Sequence, residues 1–331
     1  MPARKANRAL LEALGPIAVL GATGLVGRHV IEALVRAGAC NSIATYHSRP
    51  AFECPGVEWR RTDLIRQGDA RAALQGARAV VLCAGKISTT AELRRDPVAS
   101  IVQSLRIGVN VLQAAAESRV ERLVLLSSCT GYPEGAGAKE EQAMFRGDPP
   151  AGWFGVGWMH RFLEKQLEWY CAQLGAICSA TALRPTLVYG PFDDFKPESA
   201  HFVPSFIHRV VARERPIEVW SDGRQTRNLV HAADVASAVL AALTRDSGFS
   251  AYNVATPRSV SVNEVLETLL EIDGFKDAKI VHLLDRVGGA PALDVSAAAF
   301  RARFDWQPSL SLREGLRDTL SWYRRTMGLA R

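Results

Sequence analysis

The stretch VLGATGLVGRHVIEAL at 19–34 constrains the fold more than any other part of the chain. It begins inside a short apolar run, IAVL (17–20), and leads into a helical pattern from about Val26 to Arg36. Gly21, Gly24 and Gly27 therefore fall on a strand-to-helix junction. The reason for glycine there is steric. One permits the tight turn, one lets the backbone approach a pyrophosphate, and one lets the helix lie close on the strand. The helix start also offers free N–H groups and the positive end of a dipole to phosphate oxygens. A plain glycine-rich turn would carry the same letters, but it would not open a series of βα units.

Such a series follows. SIATY (42–46), AVVLCAG (79–85), RLVLLSS (122–128) and CSATALRP (178–185) are apolar on both faces, as buried parallel strands are. Helical stretches lie near 68–75, 97–118 and 156–174. The alternation predicts an α/β fold, a Rossmann-like doubly wound parallel sheet. After Pro185 the rhythm changes, and YGPFDDFKPESAHFVP (189–204) reads as loop. The rest predicts a smaller C-terminal α/β lobe for the substrate. The boundaries read as a leader over 1–15, an NAD(P)-binding domain over 16–188 with 225–250 returning to it, and a substrate lobe over 189–224 and 251–331.

Charge and cysteine usage narrow the function classes. The net charge is +6, yet no Lys/Arg run exceeds two residues, which argues against nucleic acid and suits a phosphorylated ligand. No segment approaches the length of a membrane span. The basic start followed by apolar residues is interrupted by Glu12 and runs straight into the glycine motif, so a cytoplasmic protein is expected. Six cysteines show neither a C-x-x-C pair nor metal-ligand spacing, so no metal is expected and the thiols are read as reduced.

The second strand ends ATYHSRP (44–50), without the acid that would bind the ribose hydroxyls of NAD. Ser48 and Arg49 there suit the 2′-phosphate of NADP, with NAD as the alternative. Asp63 and Leu64 follow the third strand; Asp63 reads either as a contact to the adenine amino group or as a cap on the next helix.

These motifs resemble those of the extended short-chain dehydrogenase/reductase family, the NAD(P)-dependent sugar-nucleotide epimerases, dehydratases and reductases. LCAGKISTTAEL (82–93), LRIGVNVLQAAAESRVERLVLLSSCTGYP (105–133) and VWSDGRQTRNLVHAADVASAVLAAL (219–243) follow its pattern. LRPTLVYGPFDDFKPESAHFVPSFIHR (183–209) is most similar to the GDP-L-fucose synthase branch. The resemblance implies that Gly21, Gly24 and Gly27 hold the pyrophosphate, with Thr23, Leu25 and Val26 also binding the cofactor. It implies that Ala84, Gly85 and Lys86 line the nicotinamide side, with Pro185 and Val188 also binding the cofactor. Ser128 would hydrogen-bond the reacting sugar oxygen, with Tyr132 beside the substrate. Thr130 stands where the branch carries a cysteine used in epimerisation, and His201 matches the acid of that step. Arg209, Trp220 and Arg227 would contact the substrate, the last two at its nucleotide diphosphate. GGAPALDVS (288–296) lacks the basic residues usual there, which argues against a GDP-linked sugar.

One departure bears on the chemistry. The family opens a helix with Tyr, three residues, then Lys, and often Glu four further on. In FGVGWMHRFLEKQ (154–166), Glu164 fits the Glu place, which puts His160 at the Lys position and Val156 at the Tyr position. A register slipped by one gives Gly157 and Arg161. Valine transfers no proton, so Ser128, Thr130, Tyr132, His160 and His201 are the candidates for proton work, with His160 also toward the cofactor ribose. Three readings follow: an atypical sugar-nucleotide epimerase or reductase, a non-catalytic cofactor- or sugar-nucleotide-binding homologue, and a carbonyl reductase on a non-sugar molecule. The resemblance also brings a homodimer through the helices at 97–118 and 156–174.

Overall fold

A computed structural model describes residues 10–39, 41–85, 96, 98–135, 137–197, 199–245, 247–286 and 293–329. The first strand, β1 (Ile17–Leu20), is buried along its whole length. It runs through the glycine turn into α1 (Leu25–Arg36), whose buried face is His29, Val30, Ile31 and Leu34 with Gly27. The chain continues as β2 (Ser42–Tyr46), β3 (Val57–Arg61), α2 (Gln67–Ala73), β4 (Ala79–Leu82), α3 (Ala99–Glu117), β5 (Arg122–Leu126), α4 (Phe154–Glu168) and β6 (Ser179–Pro185). Later in the chain, β11 (Gly248–Val254) adds alongside β6.

These strands form one seven-stranded parallel sheet in the order β11-β6-β5-β4-β1-β2-β3. The order reverses direction between β1 and β4, and ligands of such sheets bind at the carboxyl ends beside that reversal. Alternating residues serve opposite faces. Ile17, Val19, Ala44, Val81 and Val124 pack on α1 and on Val235, Val239 and Leu243 of α6 (Ala232–Arg245). Ala18, Leu20, Val80, Leu82, Leu123 and Leu125 pack on Val111 and Leu112 of α3 and on Leu163 and Leu167 of α4. Burial on both faces is why β1, β4 and β5 read as apolar runs, whereas the edge strand β3, VEWRR, is partly exposed along its length.

A third apolar cluster forms a lobe beside the sheet. It joins α5 (Phe202–Val211), β8 (Ile217–Trp220), α7 (Val262–Asp273) and α9 (Leu312–Thr326) through Val203, Ile207, Val219, Leu266, Leu269 and Leu316. Short two-stranded pairs link it: β7 (Leu187–Tyr189) with β10 (Leu229–His231), β9 (Thr226–Arg227) with β12 (Val260–Ser261), and β8 with β13 (Ile280–Leu283). The sequence boundary at 250 divides β11, which runs unbroken to Val254. Phe300 and Phe304 of α8 (Ala298–Phe304), with Trp306, also lie in the sheet's core rather than the lobe's. Among the described residues no helix is long and apolar enough to cross a membrane.

Candidate active site

The turn after β1 is shaped by close approach. Gly21 has φ +81°, and a Cβ there would lie 2.7 Å from the Ala84 Cα. A Cβ on Gly27 would overlap the Gly21 carbonyl oxygen. Gly21 N–H and Ala22 N–H are fixed to Thr45, on its Oγ1 and its carbonyl respectively, both at 3.0 Å. Gly24 is the N-cap of α1 and no side chain caps that helix, so its first N–H groups are left for a ligand. A pyrophosphate fits this cradle. Thr23, Leu25 and Val26 are half-buried around it.

The adenosine side is less uniform. Ser48 and Arg49 are exposed at the end of β2, and Arg49 Nη1 donates to the Phe192 carbonyl at 3.4 Å. Asp63 caps a turn: its Oδ1 accepts from Ile65 N–H at 3.3 Å, and its other oxygen pairs with Arg66 at 3.5 Å. Leu64 is buried. Ala84 is half-buried and Gly85 exposed at the end of β4, whereas Lys86 lies outside the described residues, as do Met1–Ala9 of the leader and 287–292. Pro185 ends β6 in the core, and Val188 is half-buried in β7.

At the carboxyl end of β5 the chain turns sharply. Ser128 Oγ accepts from Thr130 N–H at 3.1 Å and from Thr130 Oγ1 at 3.0 Å. The side chains alternate, with Ser127 and Cys129 buried and Ser128 and Thr130 half-buried. Cys129 Sγ donates to the Arg184 carbonyl at 3.1 Å, and burial raises its pKa. The start of α4 abuts this turn, where a Cβ on Gly157 would lie 2.8 Å from the Thr130 carbonyl oxygen.

Tyr132 is corrected by the structure. Its ring is fully buried, and its hydroxyl donates to Asn253 Oδ1 at 2.7 Å and accepts from Arg184 Nη1 at 3.0 Å. It lies in the core, with its hydroxyl engaged on both sides. Val156 and His160 are half-buried on α4. Desolvation pulls His160 down to about 4, with Glu164 opposing, so the imidazole is uncharged at neutral pH. It can exchange hydrogen bonds, but it does not supply a lysine's charge. Arg161, of the slipped register, is buried with Nε on the Gly131 carbonyl at 2.8 Å and Nη2 on the Gly147 carbonyl at 2.5 Å. It anchors the turn.

Sequence reasoning missed the polar network beneath this turn. Arg184 and Glu164 form a buried ion pair at 2.6 Å, and Ser127 Oγ donates to Glu164 at 2.5 Å. An arginine inside the apolar strand CSATALRP was its visible signal.

In the lobe, His201 is the N-cap residue of α5. Arg209 Nη1 donates to the Glu218 carbonyl at 2.8 Å on β8, two residues from the half-exposed Trp220. Arg227 sits on β9, where desolvation lowers its pKa. A separate cleft of about 600 Å³, lined by Tyr189, His231, Arg258, Arg301 and Ser309 among others, contains none of the sequence-predicted site residues. Among the described residues no cluster of His, Cys, Asp and Glu could hold a metal.

A parallel sheet with a pyrophosphate cradle at its reversal and a serine at the next strand end defines a nicotinamide-dinucleotide-binding fold of the extended short-chain dehydrogenase/reductase type. The model of the NAD dependent epimerase/dehydratase family matches residues 17–255, and the chain belongs to that family. It is 30% identical over 319 residues to a probable GDP-L-fucose synthase 1 of Oryza sativa subsp. japonica, covering 93% of this chain and 92% of that protein. It is 30% identical over 322 residues to a dTDP-4-dehydro-6-deoxy-D-allose reductase of Streptomyces sp, covering 93% and 96%. Its fold is similar to that of the UDP-glucose 4-epimerase of Thermotoga maritima, with TM-score 0.83 and 22% identity over 94% of this chain and 99% of that one. The UDP-glucose 4-epimerase of Thermus thermophilus, solved with NAD, gives TM-score 0.78 and 25% identity over 93% and 99%.

Proposed function

We propose that the protein is an NADP-dependent reductase of a nucleotide-linked keto sugar that works without the family tyrosine. The observation that carries this reading is Ser128. Its oxygen accepts two hydrogen bonds from Thr130, so its own proton is free for a substrate oxygen. When bound, the reduced nicotinamide supplies a hydride to the carbonyl carbon. Gly21, Gly24 and Gly27 hold the pyrophosphate, and Arg49 and Ser48 receive the 2′-phosphate. Ser128 orients and polarises the carbonyl. Trp220 and Arg227 hold the nucleotide diphosphate, with Arg209 and His201 beside the sugar.

Reduction is favoured over epimerisation by the chemistry of the Ser128–Thr130 turn. Removing a proton beside a carbonyl calls for a group with an accessible basic form. Thr130 carries an alcohol, and the neighbouring thiol of Cys129 is buried toward Arg184. The reductase among the relatives supports the same choice.

The test is turnover of NADPH with dTDP- and GDP-linked 4-keto-6-deoxy sugars. Ser128→Ala is expected to lower kcat about 10²-fold while leaving NADPH affinity unchanged. Equal kcat in the variant would remove Ser128 from the reaction. A second reading, a binding homologue without turnover, is favoured by one observation: Val156 carries no proton and His160 is held neutral. Tight NADPH binding with no oxidation across the sugar panel would establish it.

We also propose a homodimer. Phe154, Trp158 and Phe162 are 51%, 42% and 52% exposed along one face of α4, and Val98 and Val102 are 64% and 37% exposed at the start of α3. A stripe of large apolar groups open to water suits a second copy of the same surface. Trp158→Lys is expected to shift sedimentation from dimer to monomer. An unchanged dimer would place the interface elsewhere.

A further inference from the structure

The turn at Ser128 holds two hydroxyl groups in line. Thr130 Oγ1 lies 3.0 Å from Ser128 Oγ, which also accepts the Thr130 N–H at 3.1 Å. These two donors occupy the lone pairs of the serine oxygen, so its own O–H points away from Thr130. The arrangement is rigidly supported. Cys129, between them, is tied to the Arg184 carbonyl, and Gly131, just after, is tied to the buried Arg161. Both hydroxyl-bearing residues are half-buried, unlike Ser127 and Cys129 beside them. The phenol closest in sequence, Tyr132, is fully buried with its hydroxyl engaged on both sides.

We propose that Thr130 is the second member of a proton relay running from Thr130 Oγ1 to Ser128 Oγ and on to the substrate oxygen. The proposal rests on the reductase reading above. A carbonyl carbon that takes up hydride would leave an electron pair on its oxygen. The Ser128 O–H bond breaks as an O–H bond forms on the substrate. The Thr130 O–H bond breaks as that of Ser128 re-forms. Water then gives a proton to Thr130, and the hydroxide is neutralised by the buffer. Both side chains end as they began.

The experiment uses the full chain with NADPH and a dTDP-linked 4-keto-6-deoxy sugar. Wild type is compared with Thr130→Val, Thr130→Ser and Ser128→Ala. Valine keeps the threonine's shape and removes the hydroxyl. Its kcat is expected to fall about 10²-fold with KM unchanged, and Thr130→Ser restores the rate. A proton inventory in mixed light and heavy water curves in wild type, where two protons move together, and becomes linear in Thr130→Val. A readout without turnover uses the sugar with an isotope-labelled carbonyl carbon, bound to cofactor-free protein. Its resonance moves from the free value in wild type, moves less in Thr130→Val, and stays near the free value in Ser128→Ala. Full kcat in Thr130→Val, or an equal loss in Thr130→Ser, overturns the relay and leaves Ser128 as the donor. Wild type without turnover overturns the reductase reading and the relay with it, whereas Ser128→Ala with full turnover removes Ser128 from the reaction and overturns the relay alone.

Discussion

Replacing Glu164 with Leu is expected to destabilise the protein by about 3–5 kcal/mol, because it strands a buried guanidinium. Arg184 and Glu164 are only 3% and 1% exposed at their side chains, and their ion pair is short at 2.6 Å. Arg184 also donates to Tyr132 and to the Glu141 carbonyl at 2.9 Å. Those bonds hold the charge in place after Glu164 is gone, so it cannot swing into water. The double replacement Glu164→Leu with Arg184→Met removes both charges and is expected to recover part of the loss. Urea unfolding followed by circular dichroism measures both. A single variant within about 1 kcal/mol of wild type would mean that the pair is not closed in solution.

Gly27→Ala is expected to weaken NADPH binding by about 10²-fold or more, an energy of about 3 kcal/mol. Its new methyl group would overlap the Gly21 carbonyl oxygen and press on the Ala22 Cα, backbone atoms that cannot rotate away. The turn must open, and the cradle opens with it. Gly24→Ala is the matched control, since its Cβ would meet the same carbonyl oxygen at 3.3 Å, a distance a small shift relieves. Fluorescence titration with NADPH separates the two. Equal affinity in both variants would show that close packing at Gly27 does not shape the pyrophosphate site.

The sheet was legible because parallel strands covered on both faces leave little choice of residue. IAVL, AVVLCAG and RLVLLSS name their own burial, and the glycine spacing reports the turn that follows the first. Helix α4 was not legible in the same way, because its buried face mixes Met159, Leu163 and Leu167 with Arg161 and Glu164. Arg161 and Glu164 look like a solvated face, yet they are buried and bonded to the Ser128–Gly131 turn and to Arg184. Phe154, Trp158 and Phe162 look like core, yet they face outward. A periodicity argument assigns apolar residues inward, so it fails where carbonyls and an arginine wait inside. Tyr132 misled for a related reason. The resemblance put it beside the substrate, but the turn sends its side chain back into the core toward Asn253. The resemblance placed Ser128 and Thr130 at one strand end, but their mutual hydrogen bond needed coordinates.

The core on the α1 side of the sheet draws on both ends of the chain, from Leu11 to Trp306. Trp306 Nε1 donates to Ser237 Oγ at 2.8 Å on α6, and α6 packs on α1. A ribosome making this protein therefore releases β1 and the glycine turn long before their covering is complete. At roughly 5–20 residues per second, that side of the sheet waits many seconds for its last aromatic residues. A chain truncated upstream of Trp306 would keep that side of the sheet half-covered.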